Sequence, residues 1–223
     1  MIFDPLYFII VGPFFLLGLI AQFWVKSAFR SGQNIPTYLS GAEAAREIMR
    51  RNGLDLPIEC IPGELSDHYD PSAKVLRLSQ AVYEGRNAAA VGVAAHEVGH
   101  ALQDAQRYPA LVVRNMAVPM ASLGSGAGMW LFVLGLIFSM KALVLAGIVL
   151  FSCVVFFQLV NLPVEFNAST RARRQLAEMG MFTDESLSAV SKTLTAAAMT
   201  YVAATLQAVM TLVYLVLSSN REE

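Results

Sequence analysis

Two histidines and a glutamate form the group whose residue types and spacing are best suited to chemistry. His96, Glu97 and His100 make an H-E-x-x-H pattern within an Ala-, Val- and Gly-rich stretch that predicts a helix. Histidines four residues apart share one face of a helix, so both imidazoles can bind one Zn²⁺ ion. A glutamate directly after the first histidine can then take a proton from a water molecule on the metal. The alternative is a helix with two surface histidines and a solvated glutamate.

A catalytic zinc ion needs a third protein ligand and one open position. The remaining candidates in the sequence are His68, Glu84, Asp104 and Glu165. Asp104 would extend His96 and His100 into a straight row of about 12 Å, which is too long for one ion on an unbroken helix. Glu165 follows a long stretch without charge and precedes three arginines. Its position alone is compatible both with metal binding and with a surface ion pair.

The composition is typical of a membrane protein. Hydrophobic residues make up 56% of the chain and charged residues 15%, against about 45–50% and about 25% in soluble domains. The net charge of −1 gives no indication of a nucleic-acid partner. The two cysteines, Cys60 and Cys153, lie far apart and form no C-x-x-C pattern, which argues against a disulfide framework or a cysteine zinc site.

Four charge-free stretches are long enough to cross a bilayer. We predict a transmembrane anchor at residues 1–25, a transmembrane hairpin at 115–164, and a final transmembrane helix with a short tail at 194–223. The hairpin must turn near 139–141, because one helix of this length would reach about 75 Å. The glycine-rich run at 124–128 lies inside a span, so it predicts close helix packing and not a phosphate loop.

Two polar segments separate these spans, a catalytic region at 26–114 and a helical segment at 165–193. They carry ten and four of the Lys and Arg residues, and only Lys141 and Arg221 remain for the opposite side. The positive-inside rule therefore places both polar segments in the cytoplasm and both termini outside.

Local signals divide the catalytic region further. A polar linker is predicted at 27–37, and a capping box of Ser40 and Glu43 opens the next helix. Short strands are predicted at 56–61 and 74–79, with a polar loop at 63–71 between them. Asn87 can cap the H-E-x-x-H helix, which should run to about Gln106. Farther along, Pro163 should end or kink the third span.

Several motifs resemble those of known membrane metalloproteases. The sequence HEVGH at 96–100, followed after two spans by EFNAS at 165–169, is similar to the membrane gluzincins. These include the CAAX prenyl proteases and the HtpX heat-shock proteases, whose second motif, E-x-x-A-D, supplies the third zinc ligand. The runs DHYDP at 67–71, VLRLS at 75–79 and LPVEF at 162–166 extend the resemblance to the YugP-like neutral zinc metallopeptidases of bacterial membranes.

This resemblance covers nearly the whole chain and implies one zinc ion per chain, with Glu165 as the third ligand. One residue departs from the wider group, because Ser169 stands where those proteins have an aspartate. The carboxylate that would orient a histidine ligand is therefore missing, and another group must do so. Asp104 and Asn167 are the candidates.

We therefore expect a multi-pass protein of a bacterial-type membrane, mainly α-helical, with about four transmembrane helices and a cytoplasmic α+β zincin-like metallopeptidase unit. Its expected function is that of a zinc-dependent endopeptidase acting on peptide or protein substrates, including membrane-associated ones. Glu97 would activate water and return the proton to the leaving amine. The strand at 74–79 would bind substrate as an added strand. Candidates for stabilising the oxyanion are His68, Tyr69, Arg171 and Tyr201.

Two other functions, a membrane scaffold and a transporter, fit the sequence less well. A non-catalytic membrane scaffold or adaptor stabilised by zinc would need a fourth protein ligand, and it would give Glu97 no purpose. A transporter is disfavoured because the predicted spans contain no charged residue, unlike most ion or proton paths.

Overall fold

The computed structural model describes residues 4–220, so the predicted placement of Arg221 lies outside the described residues. The described chain is mainly helical, as predicted, with one small mixed sheet. The helices are α1 (Pro5–Gln33), α2 (Gly41–Arg51), α3 (Gln80–Tyr83), α4 (Ala88–Ala105), α5 (Pro109–Leu123), α6 (Met129–Ile137), α7 (Lys141–Met179) and α8 (Asp184–Ser219). The strands are β1 (Ile58–Ile61), β2 (His68–Asp70) and β3 (Val75–Ser79).

The chain divides into two compact units. We call the first the apolar unit; it contains the chain up to Ala21, Pro109–Pro163 and the chain from Thr200. We call the second the polar unit; it contains Gln22–Tyr108 and Val164–Met199.

Within the described residues, four helical stretches are long and apolar enough to cross a membrane, which confirms the predicted number. They are Pro5–Gln33, Pro109–Ile137, Lys141–Met179 and Asp184–Ser219. The second consists of α5 and α6 joined by a π-helical turn at Gly124–Gly128. A reversal at Ser139, whose φ is 53°, separates α6 from α7 and confirms the predicted hairpin turn.

The glycine-rich run packs tightly within the apolar unit, as predicted. A Cβ atom on Gly124 would lie 2.2 Å from the Leu150 carbonyl oxygen, and one on Gly128 would lie 3.2 Å from the Phe151 nitrogen. Real Cβ atoms do not approach a backbone oxygen as closely as 2.2 Å, so only glycine allows this approach to α7 at position 124, and at position 128 a Cβ atom would be tightly packed.

Two helix ends that the sequence suggested are not found. The segment at 27–37 is not a linker throughout, because α1 continues to Gln33. Polar side chains on an exposed face do not stop a helix that lacks a breaker. Pro163 does not end its helix either, because α7 continues through it to Met179, and the alternative of a kink stays a prediction. A proline removes its own backbone hydrogen bond, but the turns on either side can hold the helix together.

The sheet has the order β1-β3-β2, with β1 parallel and β2 antiparallel to β3. The segment predicted as a loop at 63–71 therefore contains a strand, β2. Its three polar or aromatic residues are too few to give an alternating pattern. The central position of β3 also corrects the predicted substrate-binding role of 74–79, because both edges of this strand are already paired.

The core of the polar unit surrounds α4. Asn87 caps this helix through its Oδ1 atom, which accepts a hydrogen bond from the Ala90 nitrogen at 3.0 Å and confirms the predicted start. The capping box of Ser40 and Glu43 on α2 is also confirmed. Buried side chains from α2, β3, α7 and α8 pack around the small residues of α4.

Gly99 brings α4 against α7. A Cβ atom at this position would lie 2.7 Å from the Ala168 carbonyl oxygen and 3.1 Å from the Ala168 Cα. Backbone atoms cannot move aside as a side chain can. Gly99 thus sets the closest approach between the H-E-x-x-H helix and the helix that carries Glu165.

We predict that Gly99→Ala lowers the free energy of unfolding by roughly 1–3 kcal/mol, the usual cost of overpacking. The matched control is Gly92→Ala on the same helix, where the nearest atom to an added Cβ is the Val190 side chain at 3.2 Å. Both changes add the same helix propensity. Thermal unfolding of the purified proteins should show a loss only for Gly99→Ala, and equal midpoints would disprove the close-approach assignment.

Candidate metal centre

Three side chains of the polar unit converge at one point. The Nε2 atoms of His96 and His100 lie 3.3 Å and 3.6 Å from the same oxygen, Oε2 of Glu165. The possible ligand atoms of all three residues lie within 4.8 Å of one another. Two ligands bound tetrahedrally at typical zinc distances are about 3.3–3.4 Å apart. The spacing of this group therefore suits one zinc ion.

The environment of Glu165 also suits a cation. Its Oε2 atom is buried and has no hydrogen-bond partner in the described part of the chain. A buried carboxylate oxygen without a partner is costly, and a metal ion would satisfy it. Two imidazoles and one carboxylate are a ligand set of catalytic zinc sites, which keep one position open.

No fourth ligand completes the group. Among residues 4–220, no other His, Cys, Asp or Glu side chain joins His96, His100 and Glu165 as a possible metal ligand. Structural zinc sites are usually closed by four protein ligands. The arrangement therefore corresponds to an open site.

His100 is oriented by Gln103, a residue that the sequence analysis missed. The His100 Nδ1 atom lies 3.0 Å from Gln103 Oε1. The Gln103 amide nitrogen donates to the Val164 carbonyl at 2.8 Å and to Asn167 Oδ1 at 3.0 Å. Because both acceptors fix the amide nitrogen, its oxygen must face His100 and accept the Nδ1 proton. The lone pair of Nε2 is then directed at the metal position.

The Gln103 side chain is fully buried, and it joins α4 to the turn of α7 that carries Glu165. The sequence does contain a signal for the role of Gln103, because a glutamine three residues after His100 lies on the same helix face. Sequence alone does not show that this face meets α7.

His96 is oriented by Ser169 itself. Its Nδ1 atom lies 3.2 Å from the Ser169 hydroxyl oxygen. The serine that replaces the expected aspartate is therefore the group that contacts this histidine. Asn167 acts on the other histidine through Gln103, and it also accepts a hydrogen bond from Arg171 Nε at 2.7 Å. Asp104 instead bonds to Tyr69 and Lys74.

Glu97 lies beside the three possible ligands and is 9% exposed. Burial raises the pKa of its carboxyl group, and the two neighbouring histidines partly oppose this effect. Its Oε2 atom accepts a hydrogen bond from the Tyr69 backbone nitrogen at 3.0 Å. The carboxylate is thus held by the main chain of β2.

The Tyr69 side chain fastens β2 to α4 at a second point. Its hydroxyl donates to Asp104 Oδ2 at 2.6 Å, and the Lys74 ammonium pairs with the same oxygen. Burial raises the pKa of Asp104, but the hydrogen bonds from Lys74 and Tyr69 outweigh it and lower the pKa overall. Burial and the Asp104 contact raise the pKa of Tyr69 well above its usual value. Asp104 therefore stays ionised and Tyr69 stays protonated, as a hydrogen bond from the Tyr69 hydroxyl to the Asp104 carboxylate requires.

The other residues predicted for the site contact different groups or belong to the apolar unit. His68 is exposed on β2 and donates through Nδ1 to the Ser66 carbonyl at 2.8 Å. Arg171 donates to Asn167 and to Gln106 Oε1, the latter at 2.7 Å. Tyr201 lies on α8 in the apolar unit.

Comparison with known proteins identifies the family. Residues 7–220 match the family described as "Putative neutral zinc metallopeptidase". A Bacillus subtilis (strain 168) protein described as "Putative membrane protease YugP" is 47% identical over 193 residues, which cover 85% of this chain and 86% of that protein. No solved structure matches significantly. The chain belongs to this zinc metallopeptidase family, as its motifs predicted, and its family and its four apolar helices support a location in a membrane.

We predict that Gln103→Met weakens zinc binding by roughly 10- to 100-fold, the usual effect of removing a group that orients a histidine ligand. The methionine fills most of the volume but cannot accept the Nδ1 proton of His100. Competition with a zinc-binding dye measures the affinity of the purified protein.

The matched control is Gln106→Met, at the end of the same helix, where the glutamine contacts Arg171 and neither histidine. Its zinc affinity should remain within about threefold of the original, since it removes no group that orients a ligand. Equal affinities for both variants would show that Gln103 does not orient His100.

Proposed function

We propose that this protein is an integral-membrane, zinc-dependent endopeptidase. The observation that carries the proposal is the convergence of His96, His100 and Glu165 on one point, with the buried Glu97 carboxylate beside it. The family and the membrane protease relative support a protease role. The zinc-dependent mechanism that we propose is based on the chemistry of these four side chains.

In this proposal His96, His100 and Glu165 hold the zinc ion. Bound zinc would polarise the scissile carbonyl and make a water molecule easier to deprotonate. Gln103 keeps the His100 imidazole in the tautomer that leaves Nε2 free, and the Ser169 hydroxyl holds the His96 ring through Nδ1. The single carboxylate of Glu165 offsets part of the charge of the ion, so the site remains positive and attracts a carbonyl oxygen.

Glu97 is the general base and then the general acid. It takes a proton from the attacking water and transfers it to the amine that leaves. The Tyr69 backbone nitrogen holds one of its carboxylate oxygens and leaves the other available for the proton. A raised pKa, caused by burial, matches a group that must both accept and return a proton near neutral pH.

We propose that substrate binds along β2 and not along β3. β2 is an edge strand of the sheet, and it contacts Glu97 directly through Tyr69. The N–H and C=O groups of one strand residue point to the same side, so the Tyr69 carbonyl also faces the outer edge. That carbonyl can accept a hydrogen bond from an extended peptide. The substrate would then lie beside the catalytic carboxylate.

The predicted orientation completes the proposal. Transmembrane segments at 1–25, 115–164 and 194–223 would leave the polar segments at 26–114 and 165–193 in the cytoplasm, with both termini outside. The concentration of Lys and Arg in the polar segments supports this orientation. The α+β unit that these segments form would be the zincin-like catalytic domain.

A zinc-stabilised scaffold is not favoured. Among the described residues the metal group has three possible ligands, whereas a closed structural site would need four. A scaffold also gives no reason to bury the Glu97 carboxylate against the group, because burying an acid that binds no metal costs stability.

We predict that Glu97→Gln lowers kcat/KM for an unfolded protein substrate by at least about 100-fold, the usual contribution of a general base. The amide keeps the shape of the side chain but cannot accept the proton. Zinc content, measured by mass spectrometry of the metal, should remain one ion per chain. Glu165→Gln is the contrasting variant and should lose both zinc and activity.

Retained proteolysis in Glu97→Gln would remove this residue as the base. Retained zinc together with inactivity in the original protein, over a range of unfolded substrates, would favour the scaffold. Membrane proteomics of cells that carry Glu97→Gln then identifies substrates, because uncut proteins should accumulate.

A further inference from the structure

A crevice of about 540 Å³ lies between α1 and α8 within the polar unit, apart from the residues of the metal group. Its volume falls in the range of ligand sites. Residues that line it include Trp24, Ser27 and Ser31 of α1 and Glu185, Ser188 and Lys192 of α8. No step of the proposed reaction uses it.

The crevice lies where both helices leave their charge-free stretches. On α1 that stretch ends at Val25, directly after Trp24, and on α8 the last charge before the stretch is Lys192. In a membrane-embedded chain these positions correspond to the level of the lipid headgroups, where tryptophan side chains are enriched. The exposed Trp24 side chain fits this level.

Five polar side chains that line the crevice have no partner in the described part of the chain. Within the described chain, Lys192 and Glu185 form no ion pair or hydrogen bond, and the Ser27, Ser31 and Ser188 hydroxyls make none. Helical hydroxyls elsewhere in the chain, such as that of Thr205, bond to the carbonyl four residues earlier. The crevice therefore presents a set of hydroxyl and charged groups that a bound molecule can use.

The two charges are ordered along α8. Lys192 and Glu185 are seven residues apart, so they share a face and lie about 10 Å apart along the axis. Lys192 is nearer to the apolar stretch, and Glu185 is two turns farther out. At the same inner end, Thr195 lines the crevice and its hydroxyl accepts a hydrogen bond from Arg173 Nη2 at 3.1 Å. The inner end is therefore cationic and the outer end anionic.

The order of charges in the crevice, cationic inside and anionic outside, matches the headgroup of one class of lipid. In phosphatidylethanolamine the phosphate lies next to the acyl chains, and the primary ammonium extends beyond it. An anionic lipid without an amine would satisfy Lys192 but give Glu185 no positive partner. We propose that the crevice binds the headgroup of phosphatidylethanolamine, with its phosphate at Lys192 and the serine hydroxyls and its ammonium at Glu185.

The test is native mass spectrometry of the purified full-length protein with lipids of identical acyl chains. Phosphatidylethanolamine should bind roughly tenfold more tightly than phosphatidylglycerol, the difference expected for one partly exposed charge-assisted hydrogen bond. Phosphatidylcholine should also bind more weakly than phosphatidylethanolamine, because its methylated ammonium cannot donate a hydrogen bond to Glu185.

Variants of the protein test separately the residue that would bind the phosphate and the residue that would bind the ammonium. Lys192→Gln should weaken phosphatidylethanolamine binding roughly tenfold. Glu185→Gln should abolish the preference for phosphatidylethanolamine over phosphatidylglycerol and phosphatidylcholine. Lys26→Gln is the matched control, because Lys26 lies at the same level of α1 but does not line the crevice; its lipid binding should not change.

Equal binding of the three lipids to the original protein would overturn the proposal. So would equal losses in Lys192→Gln and Lys26→Gln, which would indicate general attraction to the membrane surface. The absence of any bound lipid would assign the crevice to a different occupant. Zinc content and thermal unfolding of each variant confirm that it is folded, and since no readout uses proteolysis, the outcome is independent of the proposed endopeptidase activity.

Discussion

The buried Oε2 atom of Glu165 is the constraint on which the site depends. It lies against two imidazole nitrogens whose rings each contact a protein partner through Nδ1. Neither ring can give this oxygen a proton while it remains neutral and keeps its Nδ1 proton. A metal ion among the three side chains, or a proton on one of the two Nε2 atoms, would supply the positive charge that this oxygen lacks. The small residues that bring α4 and α7 together, and the amide that joins them, keep this group assembled.

Two separate hydrogen-bond systems hold the side chains of the group. Gln103 connects α4 to α7 beneath the histidines, and Tyr69 connects α4 to β2 beside Glu97. The first orients His100, and the second holds the Glu97 carboxylate against the sheet edge. In the proposed function, a change in the first would alter metal binding, whereas a change in the second would alter the base and the substrate edge.

Much of this site could be predicted from sequence, because helical spacing is a local property. The positions of His96, Glu97 and His100 on one helix follow from that spacing, and so does the cap at Asn87. Glu165 could be chosen over a surface ion pair only through resemblance to a family, since no local pattern shows which distant residue approaches a helix. The roles of Gln103 and Ser169 depend on the contact face between α4 and α7, and that face is set by tertiary packing.

In the fold, too, the features set by local sequence were predicted and those set by tertiary contacts were not. The four apolar helices and the hairpin turn are determined by long charge-free stretches and were predicted. β2 was missed because its pairing comes from β3 and not from its own sequence pattern. The continuation of α1 to Gln33 was missed because a polar face does not end a helix. At Pro163 the sequence left an end and a kink both open, because a single proline weakens a helix without always ending it.

The distribution of the ligands along the chain has a consequence for biosynthesis. A ribosome that has translated both histidines has still to produce the whole hairpin before it reaches Glu165. During that interval the nascent polypeptide holds only two of the three metal-binding side chains, and it also lacks the Val164 carbonyl and Asn167, the acceptors for the Gln103 amide. A metal group assembled in this order stays incomplete until membrane insertion is well advanced. If the group is the proposed hydrolytic centre, this order would protect unfinished chains and the translation machinery from premature cleavage.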